Sequence, residues 1–288
     1  MSDPLAVIAQ FPGVPEAVEE ARQAVDRLYR HRVLRRASPA VSTESSLRGA
    51  RASAALEGVD VSLDALRRDE IHDPVVQGAL RASAELGRLG STWRKAPRQV
   101  LARLHAVAAA GLTPAEGLGR PRGFSDLPSS DAPGPDLPSS GAPGTDLPPP
   151  VAPASDPLSL LLGPAPLAAD AAARVDGLLT LLDQPTKAPA IVLAAIVHAE
   201  LAVLRPFGSA DGIVARSAER LTLVEYGLDP KSLVAVEVGH LELPYAEALG
   251  AYLSGSPEGV ARWVQHCASA VTLGVRETTA ICEAMQRG

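Results

Sequence analysis

Aromatic residues are scarce in this chain: phenylalanine, tyrosine and tryptophan together account for only 3% of its 288 residues. Hydrophobic residues still account for 46%, so a sizeable core has to be built mainly from alanine, leucine and valine. Such small side chains suit closely packed helices better than β-strands, which are rich in aromatic residues. No segment of useful length alternates polar and apolar residues with a period of two. The composition therefore predicts an all-α protein.

Cysteine is also rare, and the chain has no excess of positive charge. The two cysteines, Cys267 and Cys282, belong to no Cys-x-x-Cys or Cys/His spacing of the kind that binds a metal ion. We interpret both as core thiols in a reducing compartment and predict no metal site.

The formal net charge is −6, with acidic residues between the arginines, which argues against a nucleic-acid partner.

A long apolar run is missing as well. A membrane-spanning helix needs about 18 or more consecutive apolar residues. Residues 188–204 come nearest, but His198 and Glu200 interrupt them. The first residues, MSDPLAVIAQFPG, lack the basic start and apolar stretch of a secretory signal. These absences predict a cytoplasmic protein that has no membrane partner.

One low-complexity segment divides the chain. From Ser125 a degenerate ten-residue repeat reads SDLPSSDAPG, PDLPSSGAPG and TDLPPPVAPA. Proline removes backbone donors and the repeat carries little apolar mass, so we predict a disordered Pro/Ser/Gly/Asp-rich insertion at residues 124–156. It would separate an N-terminal helical region, residues 1–123, from a helical core, residues 157–288. An expanded loop without a partner is favoured over an extended docking ligand.

Helical apolar spacing predicts helices on both sides of this insertion. Asp73 followed by Pro74 is typical of a helix start, and Gly58 of a helix end. The predicted ranges are 15–36, 43–57, a short helix from Ser62 or Asp64 to residue 70, 73–89, 95–110, 168–182, 188–204, 211–226, 245–253 and 257–286.

The segment RPFGSADGIVAR, Arg205 to Arg216, lies between two of these predicted helices. It resembles the signature HPFx(D/E)GNGRxxR of Fic-domain proteins, which mostly transfer AMP from ATP to a protein hydroxyl. The resemblance implies a Fic-like helical bundle. The positions that match in register are Pro206, Phe207, Gly212 and Arg216, and those that diverge are Arg205, Ser209, Ala210, Asp211 and Ile213.

The divergent positions contradict the chemistry that the resemblance would otherwise imply. In the family the histidine is the general base, but Arg205 stands there, and a guanidinium keeps a pKa above about 12. The acidic residue holds magnesium, but Ser209 is neutral. Asp211 brings a negative charge to the phosphate position, unless it caps the next helix. Ile213 removes an arginine, and Phe207 would anchor the loop.

A second element supports the resemblance. The segment SAALEG, with Ser53, Glu57 and Gly58, is similar to the inhibitory motif (S/T)xxxE(G/N) that many Fic proteins carry on an N-terminal helix. In those proteins the glutamate pairs with the final arginine of the signature and blocks the γ-phosphate position. The resemblance therefore implies a contact between Glu57 and Arg216. The alternative is that both residues face solvent on their helices.

Three hypotheses follow from these residues. The favoured one is a degenerate Fic-fold protein without AMP-transfer activity, which acts as a binding or regulatory protein for an unknown protein partner. The second is a Fic-type transferase of altered chemistry that is autoinhibited by Glu57; ATP and magnesium would be its cofactors. The third is an unrelated helical bundle in which Glu57 and Arg216 lie far apart. No catalytic residue is assigned, since Arg205 cannot replace the histidine.

Further expectations concern ligands and assembly. An anionic ligand could bind between Arg205 and Arg216, which would flank a helix N-terminus. His198 is interpreted as a satisfied core histidine rather than a replacement base. The resemblance also implies a β-hairpin flap near residues 118–165, where the repeat shows no hairpin pattern, and it is compatible with a homodimer.

Overall fold

The computed structural model describes residues 3–123, 158 and 162–287, and in these ranges it contains twelve α-helices and no β-strand. The predicted all-α class is confirmed. The helices are α1 (Pro4–Ile8), α2 (Val14–Tyr29), α3 (Leu34–Leu56), α4 (Leu63–Arg67), α5 (Pro74–Trp93), α6 (Pro97–Ala108), α7 (Ala168–Asp183), α8 (Ala190–Leu204), α9 (Asp211–Glu225), α10 (Val236–Glu242), α11 (Tyr245–Leu253) and α12 (Pro257–Arg287).

Helix α8 lies at the centre of the bundle. It is apolar on all sides, and nearly all of its residues are buried, as a helix enclosed by other helices requires. Helix α9 packs along it, while α7, α11 and α12 cover other faces. The 31-residue α12 also contacts α2 and α10, and so joins the N-terminal helices to the C-terminal ones.

Glycines allow the helices to approach closely, since large side chains are few. A methyl group on Gly239 of α10 would lie 2.1 Å from the carbonyl oxygen of Ala270 on α12. One on Gly274 of α12 would lie 2.7 Å from the carbonyl oxygen of Ala235, just before α10. The two helices therefore cross backbone against backbone, in a way that no residue larger than glycine permits.

Local start and stop signals in the sequence are present as predicted. The Asp73 carboxylate accepts hydrogen bonds from the first-turn N–H groups of α5, and Ser62 caps α4 in the same way. Gly58 follows α3 with a φ of +89°, the left-handed conformation that ends helices. Most predicted boundaries agree with the observed ones within a few residues.

One predicted helix was wrong. Residues 15–36 form no single helix, because α2 ends at Tyr29 and α3 begins at Leu34. The buried positions of α2 run as far as Leu28, and the next position on that face is the polar His31, so the apolar stripe stops there. The short helices α1 and α10 were not predicted.

Two further expectations concern the insertion and membranes. The predicted disordered insertion, residues 124–156, lies outside the described residues, as does most of the range expected to hold a hairpin flap. Among the residues that the structure describes, no helix has both the length and the apolar character needed to cross a membrane.

The glycine crossing gives a testable stability prediction. Gly239→Ala is expected to lower the free energy of unfolding by about 1–3 kcal/mol, because the helices must move apart. The exposed Gly250 of α11 has no atom within 4 Å of the added methyl group, so Gly250→Ala is the control and should stabilise by about 0.5–1 kcal/mol. Urea denaturation measures both, and equal effects would contradict the close crossing.

Candidate functional site

The segment from Arg205 to Arg216 forms a tight loop between α8 and α9. Arg205 ends α8 with a φ of +45°, Gly208 has a φ of +81°, and Ala210 precedes α9 with a φ of +51°. The left-handed conformation suits glycine but strains a residue with a side chain by roughly 1–2 kcal/mol. Surrounding contacts must therefore hold Arg205 and Ala210 in place.

Arg122 supplies many of these contacts. Its Nη2 and Nε donate hydrogen bonds to the carbonyl oxygens of Leu204 and Arg205, at 2.9 and 2.6 Å. Its backbone N–H donates to the carbonyl of Pro206, and its Nη1 to that of Pro166. Carbonyls at a helix C-terminus lack intrahelical donors and attract a cation, so one guanidinium satisfies the end of α8 and fixes the loop.

Asp211 closes the loop from its other end. The two oxygens of its carboxylate accept the backbone N–H groups of Phe207, at 3.0 Å, and Gly208, at 2.7 Å. Asp211 is the first residue of α9 and only 1% exposed. Backbone N–H groups that would be available to an external anion are thus occupied by a carboxylate of the protein itself.

Ser209, at the expected metal-ligand position, takes part in a neutral hydrogen-bond network. Its Oγ lies 3.1 Å from His105 Nε2 and 2.7 Å from Thr113 Oγ1. The His105 ring stacks on Phe207 with centroids 4.2 Å apart, and its Nδ1 accepts the backbone N–H of Gly119. These contacts anchor the loop on α6 without providing a carboxylate for magnesium.

Arg216 and Glu57 are in contact, so the predicted pairing is present. Arg216 Nη2 lies 2.5 Å from Glu57 Oε1, and both side chains are buried. Arg216 also donates two hydrogen bonds to Ser53, one from Nε to the Ser53 hydroxyl and one from Nη2 to the Ser53 carbonyl oxygen. Burial alone would lower the pKa of Arg216, but the Glu57 carboxylate raises it above the usual value.

Gly212 makes room for this pair. A methyl group on Gly212 would lie 2.1 Å from Glu57 Oε1 and 3.1 Å from Arg216 Nη1. The Glu57 carboxylate therefore lies against the first turn of α9, where a helix favours an anion. Together with Asp211, it brings two internal carboxylates close to the helix start, which the resemblance assigns to nucleotide phosphates.

The remaining signature residues are also enclosed. Arg205 is 2% exposed and Arg216 is 1% exposed, so neither guanidinium is open to an external anion between them. The expected anionic site at these two residues stays a prediction. Ile213 packs in the hydrophobic core. Pro206 is buried beside the loop backbone.

His198 is a buried core residue, as predicted. Its ring is 0% exposed and lies between Glu219 and Tyr245, at 2.7 and 2.9 Å. Burial lowers its pKa to about 4, although Glu219 acts in the opposite direction. An external hydroxyl therefore has no access to this imidazole.

Two solved structures are similar to this arrangement of helices. A crystal structure of a Fic family protein from Desulfovibrio desulfuricans G20 matches with a TM-score of 0.65 at 18% identity, over 92% of this chain and 74% of that one. Fic-1, residues 134–508, from C. elegans matches with a TM-score of 0.63 at 16% identity, over 94% and 73% of the chains. The chain has the Fic fold. No family model and no curated protein matches its sequence.

The Fic fold and the contact between Glu57 and Arg216 contradict the third hypothesis, a helical bundle of another fold in which these two residues lie far apart. Sequence reasoning missed two residues that shape the loop, Arg122 and His105. Neither is part of the signature or of a local pattern. Only the folding of α6 and the segment after it against the loop brings them there, so no sequence signal was available.

The contacts of Arg122 give a testable prediction about how much the loop between α8 and α9 contributes to stability. Arg122→Ala leaves the carbonyls of Leu204 and Arg205 without their donor and should lower the free energy of unfolding by about 1–3 kcal/mol. The exposed Arg30 provides the control, and Arg30→Ala should change stability little. Chemical denaturation measures both variants. A stable Arg122→Ala protein would mean that other contacts hold the loop.

His105 makes stability depend on pH. Burial lowers its pKa from 6.5 to about 4, and a proton on Nδ1 would break the bond from Gly119. Between pH 6.5 and about pH 4, His105 is protonated more in the unfolded chain than in the folded one. The stabilisation that neutral His105 provides is therefore complete above pH 6.5 and is lost as pH falls towards 4. His105→Gln should reduce the loss of stability between about pH 7 and about pH 5.

The histidine prediction is checked by denaturation at both pH values. His72 is exposed and serves as the control position, so His72→Gln should keep the wild-type dependence on pH. If His105→Gln also keeps it, the titration of His105 is not coupled to folding.

Proposed function

We propose that this Fic-fold protein does not transfer AMP and acts instead as a binding or regulatory protein, with another protein as its partner. The observation that carries the proposal is the contact of the Asp211 carboxylate with the N–H groups of Phe207 and Gly208. An ATP phosphate at these amides would have to displace a buried carboxylate and would be repelled by its charge.

The missing catalytic groups support the same proposal. A general base contributes about 10² to 10⁴ to a rate, and Arg205 cannot accept a proton at neutral pH. Ser209 binds His105 and Thr113 and offers no negative charge to a magnesium ion. Ile213 is part of the core. Of the charged residues that the family signature carries, only the final arginine, Arg216, is present in this chain.

A specific contact favours a second candidate, a transferase of altered chemistry that is autoinhibited by Glu57. The Glu57–Arg216 pair has the arrangement that the resemblance assigns to an inhibitory glutamate. In a chain without nucleotide chemistry, this pair would serve only stability. Stability is enough to explain the presence of the pair, since breaking a buried ion pair costs about 3–5 kcal/mol.

Calorimetric titration of ATP with magnesium separates the two candidates. We expect no binding to the wild type or to Glu57→Gly, because Asp211 still occupies the loop amides. The exposed Glu70 is the control position, and Glu70→Gly should behave like the wild type. Circular dichroism checks that each variant is folded.

Binding to Glu57→Gly alone would overturn the favoured proposal and support the autoinhibited transferase. A further variant, Glu57→Gly with Asp211→Asn, tests whether the charge of Asp211 excludes the nucleotide. If nucleotide binds only to this double variant, the Asp211 carboxylate is what closes the site. Assays of AMP transfer to protein targets then follow for whichever variant binds.

A further inference from the structure

A buried cluster of metal-ligating side chains lies in the core, and the signature does not include it. It consists of His198 on α8, Glu219 on α9, His240 on α10 and Cys267 on α12. One nitrogen, oxygen or sulfur atom from each lies within 4.8 Å of the others, and no member is more than 1% exposed. Four helices therefore bring their ligand-type side chains to one point inside a hydrophobic bundle.

The hydrogen bonds of this cluster already orient the two imidazoles towards Glu219. Its Oε2 lies 2.7 Å from His198 Nδ1 and 2.7 Å from His240 Nε2. The outer nitrogens are also held, His198 Nε2 by the Tyr245 hydroxyl at 2.9 Å and His240 Nδ1 by His266 Nε2 at 3.0 Å. Metal-binding histidines have this second hydrogen bond, which fixes the ring and its tautomer.

The charge of the cluster favours a cation. The Glu219 carboxylate is only 1% exposed, and one of its oxygens lies 2.7 Å from a nitrogen of each imidazole. A buried carboxylate among neutral groups is costly unless a positive charge compensates for it. Arg216, a cation that acts on His198, is already paired with Glu57.

We propose that His198, Glu219, His240 and Cys267 bind one divalent transition-metal ion, with zinc as the best fit. Two imidazole nitrogens, a thiolate and a carboxylate are ligands of the type that zinc takes in four-coordinate sites. A dication with one thiolate and one carboxylate has no net charge, which suits complete burial. All four positions come from the protein, so the ion is structural and joins α8, α9, α10 and α12.

Protons balance in this step. The proton of the Cys267 thiol leaves to solvent as the sulfur–metal bond forms. His198 and His240 each move a proton from the ligating nitrogen to the outer one. His198 then donates to the Tyr245 oxygen, whose own hydrogen rotates away, and His240 donates to His266 Nε2, whose proton moves to its Nδ1. The carboxylate of Glu219 exchanges its two imidazole donors for the metal ion.

The first test is elemental analysis of the purified full chain, expressed with added zinc and dialysed against metal-free buffer. We expect close to one zinc ion per chain. Cys267→Ser should lose most of it, while the matched control Cys282→Ser should keep it. Cys282 is equally buried on the same helix but is not part of the cluster.

Cobalt provides a readout that a merely hydrogen-bonded cluster cannot produce. The cobalt-loaded wild type should have the strong visible absorption of four-coordinate Co²⁺ and a sulfur-to-cobalt charge-transfer band, and Cys267→Ser should lack that band. A folded wild type without metal, or a Cys267→Ser variant with unchanged zinc and cobalt spectra, would overturn the site. If Cys267→Ser does not fold, the charge-transfer band of the wild type decides.

Discussion

The buried contact between Glu57 and Arg216 is the interaction on which the centre of the bundle depends. It joins the C-terminal end of α3 to the first turns of α9, and Ser53 supplies further acceptors to the same guanidinium. A buried arginine without a carboxylate would be strongly destabilising. Gly212 is required beside it, because any side chain there would occupy the space of the Glu57 carboxylate.

The same contact connects stability with function. Glu57 and Asp211 bring two carboxylates of the protein close to the helix start where the Fic resemblance expects phosphates. The Asp211 carboxylate satisfies the N–H groups of Phe207 and Gly208, and the Glu57 carboxylate compensates the charge of Arg216, without any ligand. A nucleotide would have to replace these internal contacts, which already satisfy the polar and charged groups. For this reason we propose a binding or regulatory role rather than transfer of AMP.

Part of the fold was accessible from sequence alone, because it depends on local chemistry. Alanine-rich apolar spacing predicted most of the helices, and Asp73, Ser62 and Gly58 marked helix ends through their own backbone preferences. The helix predicted for residues 15–36 was wrong, since a basic cluster after Leu28 continued to look helical although its apolar stripe had ended. The insertion at residues 124–156 remains a prediction.

The sequence by itself predicted the all-α class, because composition and apolar spacing are local properties. The altered signature and the pairing of Glu57 with Arg216 were expectations from the resemblance to Fic proteins, and the contact itself was decided by the tertiary structure. Only the tertiary structure decided which groups the altered signature contacts: Asp211 with the loop amides, Ser209 with His105, and Arg122 with the end of α8. The cluster of His198, Glu219, His240 and Cys267 was equally hidden. Its members lie on four helices, and only the packing of those helices brings their side chains together.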